Sequence, residues 1–140
     1  MNEEEAFSEA VSALCGHDRR YDPDAYFFLR DAMAKTVERV HKAEGKPRHL
    51  TGQELSLGMR DQALAEFGPM AMTVMTEWGI AKTADFGNMV YSLIKVGIFN
   101  KTEADSLSDF AEVFDFTEAF VVPYLPESLK PTPKKKRKTL

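Results

Sequence analysis

The 140-residue sequence has one cysteine, Cys15, so no disulfide can form within the chain, and this usage fits a reducing compartment. The sequence also lacks any apolar run near the roughly 18 residues that a membrane span needs. The acidic start, MNEEEAF, has neither the basic nor the apolar region of a secretory signal. These absences predict a cytoplasmic protein without a membrane span.

The motifs of catalysis and metal binding are missing as well. The sequence contains no P-loop and no Gly-rich dinucleotide fingerprint. The tripeptide DFG at 85–87 has no glycine-rich loop or catalytic HRD to accompany it, as a kinase requires. Cys15 and the three histidines do not have the spacing of a zinc site. We therefore expect no catalytic residue, no metal and no cofactor, and an enzyme is the less favoured alternative.

Basic residues are scarce in most of the chain and crowded at its end. The net charge is −4, but residues 130–140 hold six Lys or Arg and no acid. Residues 1–129 therefore carry 12 basic and 22 acidic groups, a net charge of −10. Five consecutive cations stand in the tail: Lys134, Lys135, Lys136, Arg137 and Lys138. Because an acidic body repels nucleic acid, any polyanion binding has to come from this tail or from a local patch.

Two interpretations of residues 130–138 stand side by side. Five cations are enough for salt-sensitive contact with RNA, DNA or anionic lipid. No aromatic residue is interleaved with these cations to stack on bases, so we expect no sequence-specific reading of nucleic acid. The alternative is a tail that only solubilises the protein or folds back on the acidic body.

Apolar residues recur at helical spacing through the rest of the chain, and glycine, proline and capping residues divide the pattern into segments. The clearest start is the capping box Thr51–Glu54, and the clearest end is Gly97. The pattern predicts helices over 3–14, from Asp22-Pro23 to about Lys42, over 51–67, over 69–79, over 83–97, from Thr102 onwards, and over a last stretch that ends by Val122.

These helices predict an all-α protein, a single irregular or orthogonal bundle of about six or seven short helices over residues 1–125. The segment 113–116 is ambiguous, because it reads either as a short extended piece or as part of a helix. From residue 126 the composition changes to Pro, Lys, Ser and Thr, which bury little. We therefore predict that the tail 126–140 is disordered.

Five motifs give the chain a family resemblance that covers roughly residues 20–121. They are RYDPDAYFFL (20–29), RHLTGQEL (48–55), FGPMA (67–71), WGIAKTADFGNMVY (78–91) and KTEADSLSDFAEVFDF (101–116). With these motifs the chain resembles a small family of conserved bacterial proteins best known from the planctomycete and verrucomicrobial group. The resemblance implies a single globular domain and no particular activity, and the basic tail lies outside the matching region.

One polar group is a candidate for anion or partner binding: Arg48, His49 and Arg60. Arg48 and His49 immediately precede a predicted helix N-terminus, where backbone amides and the helix dipole favour an anion. The favoured alternative is that Arg48 and Arg60 pair with acids that tie helices together. The acids considered for this pairing are Asp85, Asp105 and Asp109.

Large aromatic residues supply a second candidate, an apolar partner groove bordered either by the Trp78–Phe86 segment or by Phe114–Phe120. Its candidate residues are Trp78, Phe86, Phe114 and Phe116. Most of the aromatic residues should belong to the core, but an extended segment at 113–116 would turn one Phe outward.

The favoured hypothesis is a non-enzymatic helical interaction module that binds another protein, with its oligomeric state left open. The first alternative is a nucleic-acid- or ribosome-associated accessory protein that acts through the tail. The second alternative is a small-molecule or anion binder, or an enzyme, that uses Arg48, His49 and Arg60.

Overall fold

A computed structural model describes residues 2–100 and 106–131 of the chain. The α-helices of these ranges are α1 (Glu3–His17), α2 (Pro23–Glu44), α3 (Gly52–Phe67), α4 (Ala71–Glu77), α5 (Thr83–Lys95) and α6 (Phe116–Phe120). Short 3-10 turns occupy Gly68–Met70, Leu107–Phe110, Val122–Tyr124 and Glu127–Leu129. The described residues contain no strand, so the predicted all-α class is confirmed. No helix within these ranges has the length and apolar character needed to cross a membrane.

The predicted number of helices, six or seven, differs somewhat from the structure. Over the described ranges, α1 to α5 are the helices of seven or more residues, and α6 is a single turn. The main difference follows α5, where a helix was expected and the chain forms the 3-10 turn Leu107–Phe110. This turn does not continue, because Ala111 is extended and Glu112 adopts a φ of 50°. The expected helix start, Thr102, lies outside the described residues.

Two further segments near the end of the chain can be compared with their predictions: 113–116, for which the sequence was ambiguous, and 126–140, which was predicted to be disordered. Residues 113 and 114 form a bend rather than a strand, and Asp115 then caps α6 by accepting a hydrogen bond from the Glu118 amide at 2.9 Å. Within the segment predicted to be disordered, Glu127–Leu129 forms a 3-10 turn, while residues 132–140 lie outside the described part.

The core is built where α2 packs against α3 and where α5 packs against the 3-10 turn Leu107–Phe110 and contacts α3. The apolar faces of these helices are buried as their spacing predicts, since Leu55, Met59 and Ala63 are buried on α3. On α5, Phe86, Met89 and Leu93 are fully buried. The helical spacing of Met70, Val74 and Trp78 predicts a stripe for α4 that differs from the observed one. The buried residues of α4 are Ala71 and Met75, whereas Met70 belongs to the preceding 3-10 turn and is exposed.

Two glycines on different helices make a slot for Phe110. A Cβ at Gly52 on α3 would lie 3.0 Å from the Phe110 ring, and one at Gly87 on α5 would lie 2.9 Å from it. Thr83 fixes this segment, since its hydroxyl donates to the Phe110 carbonyl at 2.6 Å and accepts from the Val113 amide at 3.1 Å. Threonine is a common N-cap, but Thr83 is the first helical residue of α5 and its hydroxyl is used in this tertiary contact.

Gly79 and Gly97 end α4 and α5 with the same motif. Each has a left-handed φ, 86° at Gly79 and 84° at Gly97. In each case the next residue donates its amide to a carbonyl five residues earlier, Ile80 to Met75 and Ile98 to Leu93, as in a Schellman motif. The surroundings of the two glycines differ. A Cβ at Gly79 would overlap the carbonyl oxygen of Arg20, whereas no atom lies within 4 Å of one at Gly97.

Candidate functional site

A cleft of about 320 Å³ opens between α2, the start of α3 and the end of α5, and we call it the Leu50 cleft. Its rim is polar and includes Arg48, His49, Thr51 and Asn100. Seven half-buried apolar side chains line the cleft: Met33, Val37, Leu50, Val90, Ile94, Ile98 and Phe99. Such a concave apolar surface with a few polar groups at its edge is typical of a binding site.

Two features of α5 and its C-terminal end bring apolar residues to the cleft. The apolar stripe of α5 is wider than the surface that its neighbours cover, so Val90 and Ile94 stay half-buried beside the fully buried Met89 and Leu93. The Schellman motif at Gly97 then turns Ile98 and Phe99 back towards the same cleft.

Arg48 stands at the rim with every one of its five N–H groups occupied. Its Nε and Nη2 atoms each donate a hydrogen bond of 2.8 Å to one of the two carboxylate oxygens of Glu44. Glu54 accepts from Nη1 at 2.8 Å and from Nη2 at 2.6 Å, and the His49 carbonyl accepts the remaining Nη1 bond at 3.0 Å. A guanidinium has five donors in all, so an anion cannot bind Arg48 without displacing one of these acceptors.

The start of α3 is similarly satisfied by its own residues. Thr51 accepts from the Glu54 amide at 3.0 Å, and Glu54 accepts from the Thr51 amide at 2.9 Å, which confirms the predicted capping box. The hydrogen bonds from Arg48, with this capping contact, hold the pKa of Glu54 at about 2. Hydrogen bonds from Arg48 also lower the pKa of Glu44. Both carboxylates are therefore ionised at neutral pH, and they neutralise the cation that was predicted to attract an anion.

The other two residues of the predicted polar group do not complete an anion site. His49 is exposed at the rim of the Leu50 cleft. Arg60 does not line this cleft, because it lies eight residues after Gly52 on α3, which is about 12 Å along the helix axis. Arg60 pairs with Asp61 at 2.9 Å and places its guanidinium 5.9 Å from the centre of the Phe114 ring.

The pairing partners of Arg48 and Arg60 are therefore local, and this corrects the expectation of partners on distant segments. Asp85 instead accepts a hydrogen bond from the Tyr21 hydroxyl at 2.5 Å and from the amides of Ala81 and Lys82. It thereby ties the start of α2 to the start of α5. Asp109 forms no ion pair with another described residue, and Asp105 lies outside the described part.

A second and more open cavity, of about 800 Å³, lies beside the last helix, and we call it the Phe114 groove. Its apolar surface comes from Phe114 and Phe116 with Met72 and Ile80, and its charged lining residues are Lys82, Glu112 and Asp115. Phe114 is half-buried and stacks on the buried Phe116, with ring centres 5.4 Å apart.

The four aromatic residues of the predicted partner groove do not form one surface. Phe114 and Phe116 line the Phe114 groove, but Phe86 is fully buried beneath them, with ring centres of Phe86 and Phe116 5.9 Å apart. Trp78 belongs to another cluster, 5.3 Å from the Phe28 ring and 5.7 Å from the Phe67 ring. The structure therefore divides the four aromatic residues between two clusters.

The remaining predicted residues have simpler positions. The five cations of the tail, residues 134–138, lie outside the described residues. Cys15 is half-buried, its thiol donates to the Tyr21 carbonyl at 3.8 Å, and burial raises its pKa, so the reactive thiolate is disfavoured. In the part of the chain that the structure describes, no group of three or more His, Cys, Asp or Glu is placed to hold a metal ion.

Sequence reasoning missed the Leu50 cleft and singled out only its rim residues Arg48 and His49. The available signal was the width of the α5 stripe together with the apolar pair after Gly97. The sequence pattern assigns these residues to the core, because the exposure of part of a helical stripe depends on where α2 ends and α3 begins beside it, which no local pattern specifies.

Comparison of the chain with protein-family models, with curated proteins and with solved structures gives no match.

Proposed function

We propose that this protein is a non-enzymatic helical interaction module of the cytosol and that another protein inserts apolar side chains into the Leu50 cleft. The observation that supports this proposal is the set of seven half-buried apolar side chains around one concavity. In helix-in-groove recognition, an amphipathic helix places side chains about one turn apart into such a groove. The volume of about 320 Å³ is at the lower end for ligand pockets, so it suits one or two anchoring side chains.

An estimate of the energy shows what the cleft can contribute. An aromatic anchor buries roughly 200 Å², which is worth about 5 kcal/mol at ~25 cal/mol per Å². Association itself costs at least about 4 kcal/mol in lost freedom of motion. One anchor in the cleft therefore sets the position of the partner, and further contacts around the rim have to supply most of the net affinity.

The test compares one substitution in the cleft with one outside it. Leu50→Gln places a polar group in the cleft, and Leu129→Gln changes the same residue type at a position that is 66% exposed and does not line it. We expect Leu50→Gln to abolish saturable binding of N-phenyl-1-naphthylamine, a neutral apolar fluorophore, and Leu129→Gln to preserve it. A partner that co-purifies with the native protein at high salt should follow the same pattern.

Two results would contradict the proposal. One is equal binding of the fluorophore by both variants. The other is a partner that both variants retain at high salt, because binding would then depend on another surface. A thermal melt of each variant is the control for folding.

The second candidate is a nucleic-acid- or ribosome-associated accessory protein that acts through residues 130–138. The observation that favours it is the contrast between a body of net charge −10 and a tail with six cations and no acid. Such binding should fall steeply with salt and disappear from a full-length variant in which residues 134–138 are Gln. A flat salt response would argue against it.

The third hypothesis, an anion binder or enzyme that uses Arg48, His49 and Arg60, has the least support. The donors of Arg48 are occupied by Glu44 and Glu54, and Arg60 is outside the cleft. Membership of the planctomycete and verrucomicrobial family is likewise a proposal that rests on the sequence motifs, and it adds no chemistry to any of the three.

A further inference from the structure

The segment that leads to the basic tail is charged with one sign only. Between residues 106 and 129 the chain has five acidic residues and no Lys or Arg. Asp109, Glu112, Asp115 and Glu118 recur every third residue, and none of them forms an ion pair with another described residue. Elsewhere the carboxylates of Asp18, Glu44, Glu54 and Asp61 do have Arg partners.

Two of these unpaired carboxylates, on Glu112 and Asp115, line the Phe114 groove together with the half-buried Phe114 ring. Lys82 is the cation of this lining and offsets one of the two charges. Glu118 follows on the exposed side of α6 and adds to the negative potential of this region. The groove thus combines an apolar floor with net negative charge, which suits the alkyl stems and charged heads of lysine and arginine side chains.

We infer that the basic segment 134–138 of the same chain docks on the Phe114 groove and so competes with external polyanions for the tail. Charge complementarity supports this occupant, because five consecutive cations would meet carboxylates that form no ion pair with a described residue and that Lys82 offsets only in part. The inference goes beyond the protein-binding function of the Leu50 cleft and does not depend on it.

The connection between the described part of the chain and the five cations is short. The five cations begin three residues after Pro131 and end seven residues after it. Seven residues reach at most about 25 Å when extended, whereas a domain of about 125 residues has a radius of gyration near 14 Å. A tether of this length gives an effective concentration of the order of mM, so individually weak surface ion pairs can still compete with a dilute polyanion.

The experiment uses full-length protein and two variants with the same change in net charge. The groove variant is Glu112→Gln/Asp115→Asn/Glu118→Gln, in which the amide that replaces the Asp115 carboxylate keeps a capping oxygen for α6. The control variant is Glu3→Gln/Glu9→Gln/Glu38→Gln, which neutralises three exposed carboxylates of α1 and α2 that do not line the groove and form no ion pair with a described residue.

Heparin at about 0.1 M salt, where the Debye length is about 10 Å, is the polyanion probe. We expect the groove variant to bind heparin about fivefold or more tightly than the control variant, because its tail is released. Equal affinities of the two variants would overturn the inference, since a general change in net charge would then explain both.

Trypsin cleavage after residues 134–138 gives a readout that does not require heparin binding. We expect cleavage of the native protein to be about threefold or more slower than cleavage of the groove variant, and the control variant to resemble the native protein. Equal cleavage rates in all three proteins would refute docking. Protection that increases with protein concentration would refute docking within one chain, because the tail would then come from a second copy.

Discussion

The turn between α4 and α5 lies close to the backbone of Arg20, and this close approach can be tested by substitution at Gly79. Gly79 and Gly97 both follow a helix in a Schellman motif, with φ values of 86° and 84°. Their substitution by Ala therefore creates the same left-handed strain. Only at Gly79 would the new Cβ overlap the backbone carbonyl of Arg20, whereas the space around Gly97 is open.

The magnitudes follow from these contacts. A left-handed Ala costs about 1–2 kcal/mol, and this term is common to both variants. Overpacking against a backbone that cannot rotate away adds about 1–3 kcal/mol at Gly79 alone. The displaced turn would also weaken the hydrogen bond from the Asp22 amide to the Trp78 carbonyl, 3.1 Å long, which is worth about 1 kcal/mol. We expect Gly79→Ala to be less stable than Gly97→Ala by about 2 kcal/mol or more.

Urea denaturation of the native protein and both variants measures this difference directly, with circular dichroism and Trp78 fluorescence as independent probes. The midpoints should differ while the slope stays the same, which shows that the change is one of stability. In a thermal melt, 2 kcal/mol corresponds to roughly 6–8 °C for a domain of this size. If Gly79→Ala and Gly97→Ala agree within about 0.5 kcal/mol, the α4–α5 turn does not lie against Arg20 as described.

Two other predictions concern the elements that frame the cleft. The depressed pKa of Glu54, about 2 against an ordinary value near 4.3, means that its ion pair with Arg48 stabilises the fold above about pH 4.5 and loses this effect as the pH falls towards 2. Arg48→Met should therefore lower the free energy of unfolding more at pH 6.5 than at pH 2 in urea titrations; a difference that is independent of pH would contradict this assignment. Thr83→Val should cost about 1–3 kcal/mol, because it leaves the Phe110 carbonyl and the Val113 amide without their partner, while Thr83→Ser should be close to native; equal losses in both variants would show that the Thr83 methyl group matters and not its hydroxyl.

Local sequence signals predicted a structural feature correctly where all the residues that form the feature are close together in the chain. The capping box of Thr51 and Glu54 and the stop at Gly97 are confirmed, because each needs only a few consecutive residues to close its hydrogen bonds. The burial of Phe86, Met89 and Leu93 follows in the same way from helical periodicity.

The same reasoning failed where one side chain had a choice of partners. Thr83 is a residue type that often forms an N-cap, but its hydroxyl donates a hydrogen bond to the distant Phe110 carbonyl instead. Thr83 is therefore the first residue of α5 and not the cap that precedes the helix. Arg48 was expected to pair with an acid such as Asp85, Asp105 or Asp109, but it pairs with Glu44 and Glu54, one on each side of the α2–α3 connection. Charge alone does not distinguish among such partners, since the geometry of the connection decides which acid is near.

The sequence by itself therefore determined the helical class, most helix starts and ends, and the charge contrast between body and tail, because periodicity, capping and composition are local properties. Only the tertiary structure decided that Gly52 and Gly87 receive Phe110, that Val90 and Ile94 face a cleft, and that Trp78 and Phe114 belong to different clusters. These features depend on how closely helices far apart in the chain approach each other, and this distance is set by the packing of all of them together.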